Sequence, residues 1–167
     1  QYAEGIIALS GCLKGEVSSL LLEGEEEKAE KSACEYREIL GRGNFYLEVM
    51  DNKLPEQEKV NRLMVEISKK TDIGLVATND CHYVNKEDSK LQEVLLAVQR
   101  QAKWKDPDRW KFSFEGLYVR TAEEMYNEFQ RQGVFSNREI LKYLSNTMLI
   151  AEKCKFNYII KPEPFSW

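Results

Sequence analysis

Ile73-Gly74-Leu75-Val76-Ala77-Thr78-Asn79-Asp80-Cys81-His82 joins a short apolar run directly to a cluster of side chains able to ligate metal. A run of this length bounded by polar residues predicts a buried strand. Two similar runs precede it. Gly5-Ile6-Ile7-Ala8-Leu9 ends at Ser10-Gly11, and Phe45-Tyr46-Leu47-Glu48-Val49 follows a break over residues 41–44, with Phe45, Leu47 and Val49 on one face. Helical patterns lie between and after these runs. Residues 24–40 carry Ala29, Ala33, Tyr36 and Leu40 at helical spacing. Pro55 suits the first turn of a helix whose stripe is Val60, Leu63, Met64 and Ile67. Residues 86–100 predict a third helix with Leu91, Val94, Leu95 and Val98 facing inward. Strands alternating with helices point to an α/β fold built on a parallel sheet or barrel.

Beyond residue 100 the pattern changes. Residues 100–111 form a polar loop punctuated by Trp104, Pro107 and Trp110, and Leu117-Tyr118-Val119-Arg120 predicts a short strand. Thr121-Ala122-Glu123-Glu124 and Ser136-Asn137-Arg138-Glu139 have the spacing of capping boxes, in which hydroxyl and carboxylate satisfy each other's orphan backbone donors. The first opens a helix to about Phe129. The second opens one to about Lys155, with Ile140, Leu144, Met148 and Ala151 inward. Residues 156–160 predict a strand running into a linker. The expected division is therefore 1–100 and 101–167.

The bulk composition, 43% hydrophobic and 31% charged over 167 residues, is that of a globular protein with a real core. No apolar run reaches the length of a membrane span, and no signal peptide is visible, so a cytoplasmic location is expected. The chain opens on Gln1 without Met, as a piece of a longer protein would. Cys12, Cys34, Cys81 and Cys154 are widely spaced, which fits reduced thiols better than a disulfide framework or zinc ribbon. The net charge of −4 argues against general electrostatic gripping of nucleic acid by the whole domain.

In parallel α/β folds, active sites gather at the carboxyl ends of strands. An Asp-x-His pair there, Asp80 and His82, offers a carboxylate oxygen and an imidazole nitrogen suited to Zn, Mn or Fe. Cys12, beyond the first strand, would share that rim and add a thiolate. Each has a plainer reading. His82 is the only histidine and could be a hydrogen-bonded structural residue, Cys12 a small buried one, and Asp80 a loop cap. Glu48 could point into a site, although an exposed strand carboxylate is the expectation. Arg100, Lys103, Lys105, Arg109 and Lys111 interleave with Trp104, Trp110 and Phe112 as on a nucleic-acid surface. A solvated loop pinned by its tryptophans is the alternative. No phosphate-binding glycine motif is present.

The order of several segments resembles the bacterial DNA polymerase III alpha subunit family. These are Ala8-Leu9-Ser10-Gly11-Cys12-Leu13-Lys14-Gly15-Glu16; Asn44-Phe45-Tyr46-Leu47-Glu48 with Leu54-Pro55-Glu56-Gln57; and Leu75 through Tyr83. Asp106-Pro107-Asp108-Arg109, Thr121-Ala122-Glu123-Glu124-Met125, and Asn146-Thr147 with Ile150 through Cys154 continue the series. The resemblance implies the C-terminal part of a PHP (polymerase and histidinol phosphatase) module, an irregular (βα) barrel with a divalent-metal cluster. A mostly helical stretch leading to the polymerase body would follow it. It implies metal ligands at Cys12, Asp80 and His82, with Zn, Mn or Mg as cofactors. The family's His-x-His motif and its catalytic aspartates for nucleotide addition do not lie in this chain, and Asn52 stands where many relatives carry His.

Three functions are compatible with that resemblance. The intact module would trim mismatched 3′ ends as a metal-dependent exonuclease. Alternatively it would be a scaffold that braces the polymerase and docks a separate proofreading exonuclease, in a replicase that also contains clamp subunits and DNA. A free-standing PHP phosphatase is the third, opposed by the roughly 85 residues that follow His82.

Overall fold

The computed structural model describes residues 2–154. Among these the chain forms β1 (Ala8–Leu9), α1 (Glu16–Leu22), α2 (Glu26–Leu40), β2 (Phe45–Met50), α3 (Pro55–Thr71), β3 (Gly74–Thr78), α4 (Ser89–Gln99), α5 (Ala122–Gln132) and α6 (Asn137–Lys153), with a 3₁₀ turn at Lys86–Asp88. The strands make one parallel sheet in the order β1-β2-β3, with Ala8 opposite Phe45 and Leu47 opposite Leu75. The α/β class read from the sequence holds. The strand expected over residues 156–160 lies outside the described residues.

Central β2 is buried along its whole length. Phe45, Leu47 and Val49 join Leu75 and Ala77 on the face that packs against Val17, Leu21, Ala29, Ala33, Val60 and Met64 from α1 to α3. The same core takes in Met125, Phe129, Phe135, Ile140 and Tyr143, so residues from both sides of position 100 share one interior. Side chains alternate along a strand, which sends Tyr46, Glu48 and Met50 to the other face. β1 is shorter than the sequence suggested, two residues where five were expected. The helix α1 carries no expectation from the sequence pattern.

Local chemistry explains the helix ends. Pro55 occupies the first turn of α3, where its missing N–H costs nothing. Both predicted capping boxes form, Thr121 with Glu124 and Ser136 with Glu139. Asn61, fully buried in α3, joins three elements. Its amide donates to Met50 O at 2.8 Å and to Gln132 Oε1 at 2.9 Å, and its oxygen accepts from Gln57 Nε2 at 3.0 Å. α6 covers the outer edge of β3, with Asn146 Nδ2 donating to Leu75 O at 2.6 Å.

Two helix faces depart from expectation. On α4 it is Leu96 and Ala97 that are buried, whereas Leu91, Val94, Leu95 and Val98 are exposed, Val98 by 71%. On α6, Ile140 is buried and Leu144 packs at the core margin, but Met148 and Ala151 face outward. The helical period itself holds in both elements. Period alone does not say which stripe meets the core when a helix carries apolar residues on more than one side.

Two measurements probe this packing. Asn61→Ala removes the acceptor of the Gln57 amide and the donor to Gln132 Oε1, leaving Met50 O to the Gln132 amide alone, and should cost about 2–3 kcal/mol in a urea melt. Burial pushes the Tyr143 hydroxyl up to about 12 from its ordinary 10. The neutral phenol is thus favoured in the folded state. Its contribution is whole below pH 10 and disappears as pH rises through 12, a loss of up to about 3 kcal/mol. The stability of Tyr143→Phe should fall less steeply between pH 10 and 12 than that of the parent.

Candidate metal-ligand cleft

Because the three strands run parallel, their carboxyl ends lie on one rim. There Ser10-Gly11-Cys12 leaves β1, Asp51 to Leu54 leaves β2, and Asn79 to His82 leaves β3. A cleft of about 500 Å³ is lined by Cys12, Leu13, Lys14, Asn52, Leu54, Asp80 and His82, and on its other wall by Arg100, Trp110, Lys111, Phe112, Ser113, Phe114 and Leu117.

The β1 turn is held from below. Ser10 N–H donates to Tyr46 O at 2.9 Å, and the Glu48 N–H donates to Ser10 Oγ at 2.8 Å. The Glu48 carboxylate accepts the Gly11 N–H. Glu48 is only 9% exposed, so the expectation of an exposed strand carboxylate fails. It does alternate away from the apolar face, but the opposite face of β2 is covered too, and its carboxyl oxygen is satisfied by a backbone donor. Gly11 takes φ +79°, and a Cβ on Gly15 would lie 2.2 Å from Ser10 O, so the turn requires glycine at both places. The Gly15 N–H closes the turn onto Cys12 O at 2.8 Å.

The β3 rim is pinned to the 113–118 loop. Asn79 Nδ2 donates to Gly116 O at 2.8 Å and Tyr118 O at 2.7 Å, and His82 N–H donates to Leu117 O at 2.7 Å. Tyr83 and Tyr118 form an isolated parallel bridge, all that appears of the strand expected at 117–120. Asp80 adopts a left-handed φ of +47°, and its exposed side chain projects at the mouth. His82 Nδ1 lies 2.6 Å from Asp80 O. A carbonyl only accepts, so Nδ1 is the donor in this pair, and Nε2 is the ring nitrogen not engaged by it. The ring rests edge-on against Phe112, centroids 4.7 Å apart.

Cys12 thus comes to one cleft with Asp80 and His82, 68 and 70 residues further along the sequence. They do not converge on one point. Among the described residues no three His, Cys, Asp or Glu side chains are close enough together to hold an ion. The donor chemistry fits divalent metal, but these three side chains do not by themselves form a closed ligand set. Behind this rim Asp51, buried at the end of β2, pairs with Lys53, which also reaches Glu128. The Lys53 ammonium holds the Glu128 carboxyl below its ordinary range against the opposing effect of burial. Sequence reading missed the structural work of Glu48 and Asn79. A lone acid in an apolar strand was the available sign for Glu48.

Comparison with known proteins gives a consistent result. A family model described as the PHP domain matches residues 1–52, a span that contains Cys12 and Glu48 but not Asp80 or His82. The chain is similar to the DNA polymerase III subunit alpha of Thermus aquaticus, 45% identical over 75% of this chain and 10% of that protein. It is 37% identical to the corresponding subunit of Treponema pallidum over 98% of this chain and 13% of the relative. With that of Mycobacterium leprae it shares 39% identity over 92% and 12%. The chain therefore spans about a tenth of the length of the curated relatives it matches. No helix among the described residues is long and apolar enough to cross a membrane.

The support under Cys12 is open to mutation. Glu48→Ala leaves the Gly11 N–H without its partner and should lower stability by about 2–3 kcal/mol, whereas Glu48→Gln, which keeps an acceptor, should cost about 1. Equal urea midpoints for the two variants would show that the carboxylate–amide bond contributes little.

Proposed function

The chain belongs to the DNA polymerase III alpha-subunit family, and from that premise we propose that it is metal-binding PHP barrel over residues 1–100, passing over 101–167 toward the polymerase body. In the parent protein, a DNA-directed DNA polymerase, this module would contribute metal-dependent 3′–5′ hydrolysis of phosphodiesters. The observation that carries the reading is the shared cleft: a thiol, a carboxylate and an imidazole, each from the carboxyl end of a parallel strand, line one wall.

In this reading Cys12, Asp80 and His82 are ligands and not acids or bases. His82 would bind through Nε2, oriented by the Nδ1 contact to Asp80 O, the kind of outer-shell bond that fixes a ligand's tautomer. Cys12 would bind as thiolate, its backbone fixed through Gly11 and Glu48. Bound Zn, Mn or Mg would polarise the phosphodiester and supply hydroxide at neutral pH. Softness favours Zn at Cys12, and the carboxylate of Asp80 suits Mn or Mg.

A second reading is a catalytically silent scaffold that docks the exonuclease subunit of the replicase beside DNA and the clamp. It is favoured by the exposed apolar stripe Leu91, Val94, Leu95 and Val98 on α4, which has the spacing of a helix-docking face.

The two readings separate in a full-length family polymerase carrying these residues. Cys12→Ala, Asp80→Asn and His82→Ala should each lower bound metal, read by plasma mass spectrometry, by about one equivalent. They should also slow primer trimming at least tenfold without slowing nucleotide addition. Unchanged metal content in all three variants would sink the ligand assignment. Full metal with no trimming in the parent would favour the scaffold.

A further inference from the structure

The five basic residues of the 100–111 loop divide into two groups. Arg109 is consumed internally: it pairs with Glu93 of α4, donates to Trp104 O at 3.1 Å, and its guanidinium lies 4.3 Å over the Trp104 ring. Lys103 and Lys105 do not line the cleft. Arg100 and Lys111 do line it, together with Lys14 from the opposite wall. Among the described residues none of these three makes an ion pair with a carboxylate. A chain of net charge −4 therefore sets three cations against the single carboxylate of Asp80 in this one depression.

Aromatic rings floor the same wall. Arg100 stacks 4.3 Å over Trp110, Trp110 meets Phe112 at 4.9 Å, and Phe112 meets His82 at 4.7 Å. A guanidinium over an indole face can still offer N–H groups to phosphate oxygens. Trp110, 43% exposed, retains surface on which a base can stack. We infer that the wall formed by Arg100, Trp110 and Lys111 binds the end of a single nucleic-acid strand, stacking a terminal base on Trp110 with its phosphates between Arg100 and Lys111. The ladder from Trp110 through Phe112 to His82 leads the backbone toward the donor wall. Binding of the strand end stands independently of the proposed phosphodiester chemistry; only its cleavage once bound rests on that chemistry. About 500 Å³ matches one or two nucleotides.

Anisotropy of a labelled five-nucleotide dT strand with the 167-residue chain, in EDTA, tests this without metal. Trp110→Ala should weaken binding about tenfold, and Trp110→Phe should restore most of it. With three cations the slope of log K against log salt should be about −2, falling to about −1 in Arg100→Gln/Lys111→Gln. Lys103→Ala/Lys105→Ala should bind as the parent does, and a blunt duplex at least tenfold more weakly. A five-nucleotide rU strand run alongside distinguishes a DNA from an RNA end. No detectable binding of either strand, equal binding of the duplex, or loss in the Lys103/Lys105 variant with Trp110→Ala unaffected would each overturn the inference. Because metal is excluded, a failure here leaves the ligand assignment of Cys12, Asp80 and His82 standing, and the reverse also holds.

Discussion

The middle strand of a parallel sheet has no solvent face, so any charge it carries must be satisfied from within. β2 carries one, Glu48, and its carboxylate accepts the Gly11 N–H across the sheet from the turn that ends in Cys12. Water cannot replace that donor in a residue 9% exposed, and an unpaired buried carboxylate would cost several kcal/mol. The bond therefore fixes two things together: the acid of β2 has its partner, and the β1 turn stays over the end of β2. The cleft is built outward from that contact. Cys12 projects from the turn, Asn52 and Leu54 follow β2, and the Asn79 amide draws the 113–118 loop in from the far side.

Much of this frame was legible in the sequence, wherever a local rule had no competitor. Pro55, the capping pairs Thr121–Glu124 and Ser136–Glu139, and the Ala29–Ala33 stripe each specify their element through contacts within a few residues. The gathering of Cys12, Asp80 and His82 at one cleft followed from strand polarity alone, since parallel strands present all their carboxyl ends together. Features that depend on distant partners were not legible. β1 shrank to Ala8–Leu9 because a strand extends only as far as its neighbour pairs with it. The burial of Glu48 depends on Gly11, 37 residues away. The outward turn of Leu91, Val94, Leu95 and Val98 depends on which side of α4 is covered by its neighbours, and both sides carry apolar residues.

The loop over residues 100–111 shows how composition misleads when geometry is left out. Counted along the chain, its basic and aromatic residues look like one surface. In three dimensions Arg109 and Trp104 close on each other and on Glu93, a self-contained clasp that anchors α4. Arg100 and Trp110 stack instead on the side that opens to the cleft. The same residue types serve as fastener in one half and as exposed wall in the other, and the difference is set by the neighbouring acid.

Gly15 contributes no atom to the cleft, yet the Ser10 carbonyl occupies the space where its side chain would be. A methyl group at that position would act as a wedge, prying the turn away from the Glu48 carboxylate while leaving every donor atom chemically intact. The fold thus supplies a lever for misaligning the thiol without deleting it, and a way to separate what these side chains are from where they are held.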